Sequence, residues 1–219
     1  MSLELKNRII TSIFLLLLLI LMFHYNFILI VSLIIIAVIS WIEFYNLVSK
    51  VFKKNIIKEK VFRFLGKSIS LLYLSLFIFL ILINIEQKFY IFYLLLISIF
   101  SDLGGLIVGK IFKGRKLTKI SPNKTISGSI GSFIFSLLLI PIFYFEFSNS
   151  NIYIILIFTI FISMISQLGD LFISLIKRKA KVKHTSDILP GHGGFLDRID
   201  GILFAVPIGI LFLKVLSII

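Results

Sequence analysis

Long runs of Ile, Leu, Phe and Val recur along this chain, and several approach the roughly 20 residues that a helix needs to cross a hydrocarbon layer. Seven such runs are read here, at Ile9–Phe23, Phe27–Leu47, Ile69–Ile85, Phe89–Gly109, Ile130–Phe147, Ile152–Ile176 and Gly201–Ile219. Inside a bilayer every backbone N–H and C=O needs an internal partner, and the runs are continuous rather than alternating. The expected fold is therefore all-α: a polytopic helical membrane protein of about seven spans. An apolar share of 59% and a mean hydropathy of +1.12 agree, since soluble domains hold about 45–50%. One membrane-embedded domain is expected over 1–219, with N-terminal spans in 1–85 and the motif-bearing region in 89–219.

The connections set the expected orientation. Lys6 and Arg8 precede the first run, and Lys50, Lys53, Lys54, Lys58, Lys60, Arg63 and Lys67 fill the second connection. Lys110, Lys113, Arg115, Lys116, Lys119 and Lys124 fill the fourth; Lys177, Arg178, Lys179, Lys181, Lys183 and Arg198 fill the sixth. Of all Lys and Arg, that leaves only Lys88 and Lys214 elsewhere, so one face carries the positive charge and is expected to be cytoplasmic. The first run lacks a small-residue cleavage site after Phe23 and is expected to remain in the mature protein. The net charge of +13 fits orientation and attraction to anionic headgroups, and no nucleic-acid partner is expected. Cysteine is absent, which excludes disulfides, thiolate metal sites and cysteine nucleophiles.

Of the ten acidic residues, Asp102, Asp170, Asp197 and Asp200 stand out, because each lies at the basic end of an apolar run beside glycines or cationic residues. Glu43 falls within the second run, where a place at the interface beside Trp41 and Tyr45 accounts for it at least as well as a functional one. Asp197 and Asp200 are spaced i, i+3, so on a helix both carboxylates point to one face. Two such carboxylates suit Mg²⁺, which completes its shell with water and phosphate oxygens. Helix capping with an Arg198 ion pair fits the same spacing.

Pro190-Gly191-His192-Gly193-Gly194 stands just upstream, a glycine-rich turn that allows N–H groups to face an anion before a helix N-terminus. His192 in that turn suits a phosphate contact, proton transfer or a positioning hydrogen bond. Ser174, Lys177, Arg178 and Lys183 fit either interface anchors or a clamp on a triphosphate. A second cluster runs from Ser101-Asp102 through Gly128. Its small residues permit close backbone approach, and its lysines and hydroxyls, Ser121, Lys124 and Thr125 among them, offer anion donors. No Walker-type loop occurs.

In that order, Ser174-x-x-Lys177-Arg178, Lys183 and Pro190-Gly191-His192-Gly193-Gly194-x-x-Asp197-Arg198-x-Asp200 resemble the signature of the phosphatidate cytidylyltransferase (CDP-diacylglycerol synthase) family. The segment from Ser101-Asp102 through Ile120-Ser121-Pro122 and Lys124-Thr125 to Gly128 resembles that family's second recurrent region. Two positions depart from the pattern: His184 stands where an Asp is usual, and Ile126-Ser127 where an aromatic and a Glu are usual.

The resemblance implies that CTP and phosphatidic acid are the substrates. A lipid phosphate oxygen attacks the α-phosphorus, pyrophosphate leaves, and CDP-diacylglycerol forms. It further implies that Asp170, Asp197 and Asp200 hold Mg²⁺, with room for a second cation, and that His192 joins them in catalysis. Lys177, Arg178, Lys183 and Arg198 are expected to hold phosphates, assisted by Ser121, Lys124, Thr125, Ser174, Asp102 and the glycines Gly191, Gly193 and Gly194. Membrane lipid is the expected surrounding, a homodimer an allowed assembly, and the cell's inner membrane the expected location, with the site facing the cytoplasm. Two other readings are carried: a CTP-dependent kinase of a membrane alcohol, and a small cation transporter in which the acids line a pathway.

Overall fold

A computed structural model of the chain describes residues 3–54, 56–147, 151–191, 193–216 and 218. Among them the backbone forms helices, turns and two isolated bridges, and no strand. The helices are α1 (Leu3–His24), α2 (Asn26–Val51), α3 (Ile57–Ile83), α4 (Lys88–Phe112), α5 (Ile126–Leu137), α6 (Ile140–Phe143), α7 (Ile152–Lys179) and α8 (Leu196–Val215), with short 3₁₀ turns at Ile85–Gln87 and Tyr144–Phe147. Five stretches are long and apolar enough to cross a membrane: Asn26–Val51, Ile57–Ile83, Ile85–Phe112, Ile126–Phe147 and Ile152–Lys179; Ile9–His24 is a shorter apolar helix. The chain is thus an all-α integral membrane protein.

Each of the seven expected runs is found as helix, with instructive shifts at the ends. α3 begins at Ile57 instead of Ile69, because Lys58, Glu59, Lys60, Arg63 and Lys67 are good helix formers and extend it through the basic connection. The fifth run is broken between Leu137 and Ile140, where Pro141 lacks an N–H and opens a new turn. α8 starts at Leu196, earlier than Gly201, which puts Asp197 in its first turn and Asp200 one turn further on.

The chain divides into two compact units, Met1–Ile85 with Ile176–Ile199, and Glu86–Leu175 with Asp200–Ile219. In the first, α2 packs against α1 and α3. Leu29, Leu33, Ala37, Leu47 and Val48 of α2 and Leu74, Phe77, Leu80 and Ile81 of α3 are buried, whereas Ile34, Ile35, Val38, Leu71, Leu72 and Phe79 are exposed as expected of a lipid-facing surface.

In the second unit α4 and α5 cross at glycines. A Cβ added at Gly131 would lie 2.5 Å from Val108 Cγ2 and 2.7 Å from the Gly104 carbonyl oxygen, and one at Gly104 would lie 2.6 Å from Phe135 Cβ. Only hydrogen at both positions lets the backbones approach this closely. Hydroxyls secure the crossing, with Ser132 Oγ donating to the Ser101 carbonyl at 2.6 Å. The rest of this core is aromatic: Tyr93 shares a 2.6 Å hydrogen bond with Thr159 and packs on Phe143 and Phe147. Phe158 and Phe161 of α7 meet Phe212 of α8.

Candidate active site

In the first unit the site is built where α7 ends and α8 begins. α7 closes with Lys181 in the left-handed region (φ 57°), and Val182 N–H donates to the Lys177 carbonyl at 3.0 Å. The loop that follows doubles back through a tight turn: Leu189 N–H donates to Gly193 O at 2.8 Å and Gly193 N–H returns to Leu189 O at 3.1 Å. Gly191 and Gly193 both adopt positive φ, 74° and 83°, which L side chains resist. α1 also reaches this turn, because Thr11 Oγ1 donates to the Pro190 carbonyl at 3.1 Å. His192 lies outside the described residues.

Asp197 is the focus of that loop, its side chain only 5% exposed. Lys177 Nζ contacts Oδ1 at 2.7 Å; Thr185 N–H and Gly194 N–H donate to Oδ2 at 2.9 and 3.1 Å. His184 Nδ1 lies 3.7 Å from the same oxygen, so the histidine that replaces the usual Asp faces this carboxylate. Burial alone pushes the Asp197 carboxyl up, but the Lys177 hydrogen bond, the Thr185 N–H, the Lys177 charge and the Gly194 N–H outweigh it and hold the group below the usual carboxylate value. Asp197 therefore stays ionised at neutral pH.

A depressed carboxyl stabilises the fold above its unfolded pKa, and the contribution is lost as pH falls through the folded value. Thermal unfolding in detergent is expected to become easier as pH drops below about 4, and less steeply so in Asp197→Asn. Equal acid sensitivity of the two proteins refutes this linkage.

A second carboxylate lies beneath the same loop. Glu43 of α2 is 1% exposed, and its oxygens collect four donors: Thr185 Oγ1 at 2.7 Å, Ser186 Oγ at 2.6 Å, Phe195 N–H at 3.1 Å and Leu196 N–H at 2.9 Å. The last two belong to the opening of α8, where N–H groups have no partner within the helix. Thr185 Oγ1 also sits 3.2 Å from Asp197 Oδ2, but its single proton goes to the shorter contact with Glu43. Gly194 leaves room for this arrangement, since a Cβ there would lie 2.5 Å from Glu43 Oε2. Nothing in the pattern of motifs points to Glu43; the usable signal is a carboxylate inside an apolar run, which is costly unless its oxygens are satisfied.

In the second unit Asp170 forms an ion pair with Lys124 and accepts from Ser174 Oγ at 3.2 Å. Gly169 next to it brings α7 against α8, as a Cβ there would lie 2.9 Å from the Asp200 carbonyl oxygen. Asp200 is buried and its Oδ1 accepts from Gly201 N–H at 2.9 Å.

Lys124 reaches Asp170 from a connection shaped by backbone pairing. Leu117 N–H donates to Lys124 O at 2.8 Å, and Ile126 N–H to Arg115 O at 3.0 Å. Thr125 caps α5 by accepting from Gly128 N–H at 3.0 Å and shares a hydrogen bond with Ser127, the residue that departs from the family pattern. Ser121 lies in the preceding turn, its carbonyl accepting from Lys124 N–H at 3.1 Å. Asp102, Arg178, Lys183 and Arg198 are exposed.

The structure thus pairs two of the expected cationic residues with two of the expected carboxylates, Lys177 with Asp197 and Lys124 with Asp170. Thr125, the Gly193 N–H and the Gly194 N–H serve the protein's own capping and loop closure. Among the described residues no group of three or more His, Asp or Glu forms a ready-made cation cage. The donor chemistry does fit a hard divalent cation: the carboxylates offer oxygen only, and Asp197 is held in the ionised form that a ligand requires.

A profile of the Cytidylyltransferase family matches residues 3–216. Curated relatives include proteins called phosphatidate cytidylyltransferase from Staphylococcus haemolyticus, 45% identical over 122 residues, 54% of this chain and 46% of that one. The protein of that name from Bacillus subtilis is 46% identical over 121 residues, 54% and 45% of the two chains. That of Staphylococcus aureus strain COL is 44% identical over 126 residues, 56% and 48%. The chain thus spans about half the length of the curated relatives it matches.

Proposed function

Because the chain belongs to the cytidylyltransferase family, we propose that it is a phosphatidate cytidylyltransferase, joining CTP to phosphatidic acid to give CDP-diacylglycerol and pyrophosphate. The observation that carries this reading is the identity of about 45% to proteins bearing that name. A lipid phosphate oxygen forms a bond to the α-phosphorus as the bond from that phosphorus to the pyrophosphate oxygen breaks. Such a displacement requires alignment and charge neutralisation rather than a protein nucleophile.

A divalent cation, Mg²⁺ in this proposal, would be held by Asp170, Asp197 and Asp200; when bound it neutralises charge on the phosphates. Lys177, Arg178, Lys183 and Arg198 bind phosphate oxygens, with Lys124, Ser121 and Ser174 assisting. Lys177 and Lys124 have a double use in this scheme. Each is an ammonium already held beside a carboxylate, where the low-dielectric surroundings strengthen its field. The acyl chains stay in hydrocarbon while the headgroup meets a water-soluble nucleotide. Lys and Arg crowded into alternate connections support a site on the cytoplasmic face of the inner membrane.

The deciding experiment supplies labelled CTP and phosphatidic acid to purified protein in sealed vesicles of known sidedness. CDP-diacylglycerol and pyrophosphate are expected when CTP is added on the cytoplasmic side. Release of CDP with phosphorylated lipid identifies a kinase instead, cation flux without CTP a transporter, and turnover from the opposite side overturns the orientation.

A further inference from the structure

We propose that Glu43, a residue outside the motif regions, is a positioning residue for the active site, setting the start of α8 and thereby the direction in which Asp197 presents its carboxylate. The inference rests on the reading of Asp197 as a site residue and adds to it the agent that orients it. Glu43 is almost fully buried and belongs to a helix otherwise lined by Leu, Val, Ile and Ala. A carboxylate is costly in such a place unless its oxygens are satisfied, and here both oxygens receive two donors each.

The identity of the donors gives the role. Phe195 N–H and Leu196 N–H are the backbone groups just before Asp197, so the carboxylate fixes the peptide planes from which that side chain projects. Its negative charge lies where the helix N-terminus is positive. Thr185 and Ser186 bind the other side of the loop to the same two oxygens, and Thr185 N–H in turn donates to Asp197 Oδ2 at 2.9 Å. One carboxylate thus holds both strands of the loop that grips Asp197. Packing alone calls for no charge here, and a surface role is excluded by burial.

Glu43→Gln keeps the shape but replaces an acceptor oxygen with an N–H₂ that faces N–H or O–H donors. Thr185→Val and Ser186→Ala each remove one hydroxyl and leave the carboxylate. Hydrogen exchange at the Phe195 and Leu196 amides, followed in detergent without substrate, is expected to accelerate at least tenfold in Glu43→Gln and less in the hydroxyl variants. In the turnover assay kcat is expected to fall about 10- to 100-fold in Glu43→Gln, with KM for CTP changed less than threefold. The hydroxyl variants are expected to show smaller losses in the same direction.

Unchanged exchange at both amides overturns the proposal whatever the enzyme's substrates are. Accelerated exchange with unchanged kcat overturns the positioning role and leaves a merely structural one. An inactive wild-type protein refutes the cytidylyltransferase reading and leaves the exchange result standing. Should Glu43→Gln fail to fold, the two hydroxyl variants decide by the same two readouts.

Discussion

Replacing Asp197 with asparagine is expected to reduce CDP-diacylglycerol formation at least about 1,000-fold. The physical ground is twofold. The ionised carboxylate is buried, with Lys177 Nζ at 2.7 Å and two backbone N–H groups holding its other oxygen. An amide there leaves the ammonium without its counter-charge, a change that costs about 3–5 kcal/mol for a buried pair. The proposed cation also loses a ligand, and several kcal/mol of stabilisation correspond to three or more powers of ten in rate. Label from CTP recovered in extracted lipid measures the effect, and unfolding temperature in detergent separates lost chemistry from lost fold. Turnover within tenfold of the unmutated enzyme in a folded Asp197→Asn protein rules out the assigned role.

The largest purely structural effect is expected at the α4–α5 crossing. Gly131→Val is expected to abolish recovery of monodisperse protein, and Gly131→Ala to destabilise it by about 1–3 kcal/mol or more, the range for overpacking. The obstruction is Val108 together with the Gly104 backbone, and backbone cannot swing aside as a long side chain does. Size-exclusion profile and thermal unfolding are the measurements, with Ile134→Val, at an exposed position of α5, as the unaffected control. A Gly131→Val protein that elutes and melts like the parent contradicts this account of the crossing.

The spans were legible because one strong physical demand, internal pairing of the backbone in hydrocarbon, acts over some twenty residues at a time. Their ends were less so. The start of α3 depends on the helix propensity of charged residues, which hydropathy ignores, and the start of α8 is anchored by the Glu43 contacts to Phe195 and Leu196. At the candidate site the sequence marked the right residue types, and the ordered motif pointed to a family that the profile match bears out. It did not reveal that Lys177 pairs with Asp197 or Lys124 with Asp170, because partners 20 and 46 positions apart are set by how the chain folds. Glu43 was visible as a carboxylate in an apolar run, yet its four donors come from positions more than 140 residues away.

That long-range carboxylate limits how this protein can be recombined. A fragment beginning at Glu86 would carry every residue of the signature and lack the group that holds Thr185, Ser186, Phe195 and Leu196 together. Chimeras that graft the C-terminal half onto foreign opening helices will need an acid at the level of Glu43, or the transplanted motif will arrive complete in sequence and misaligned in space.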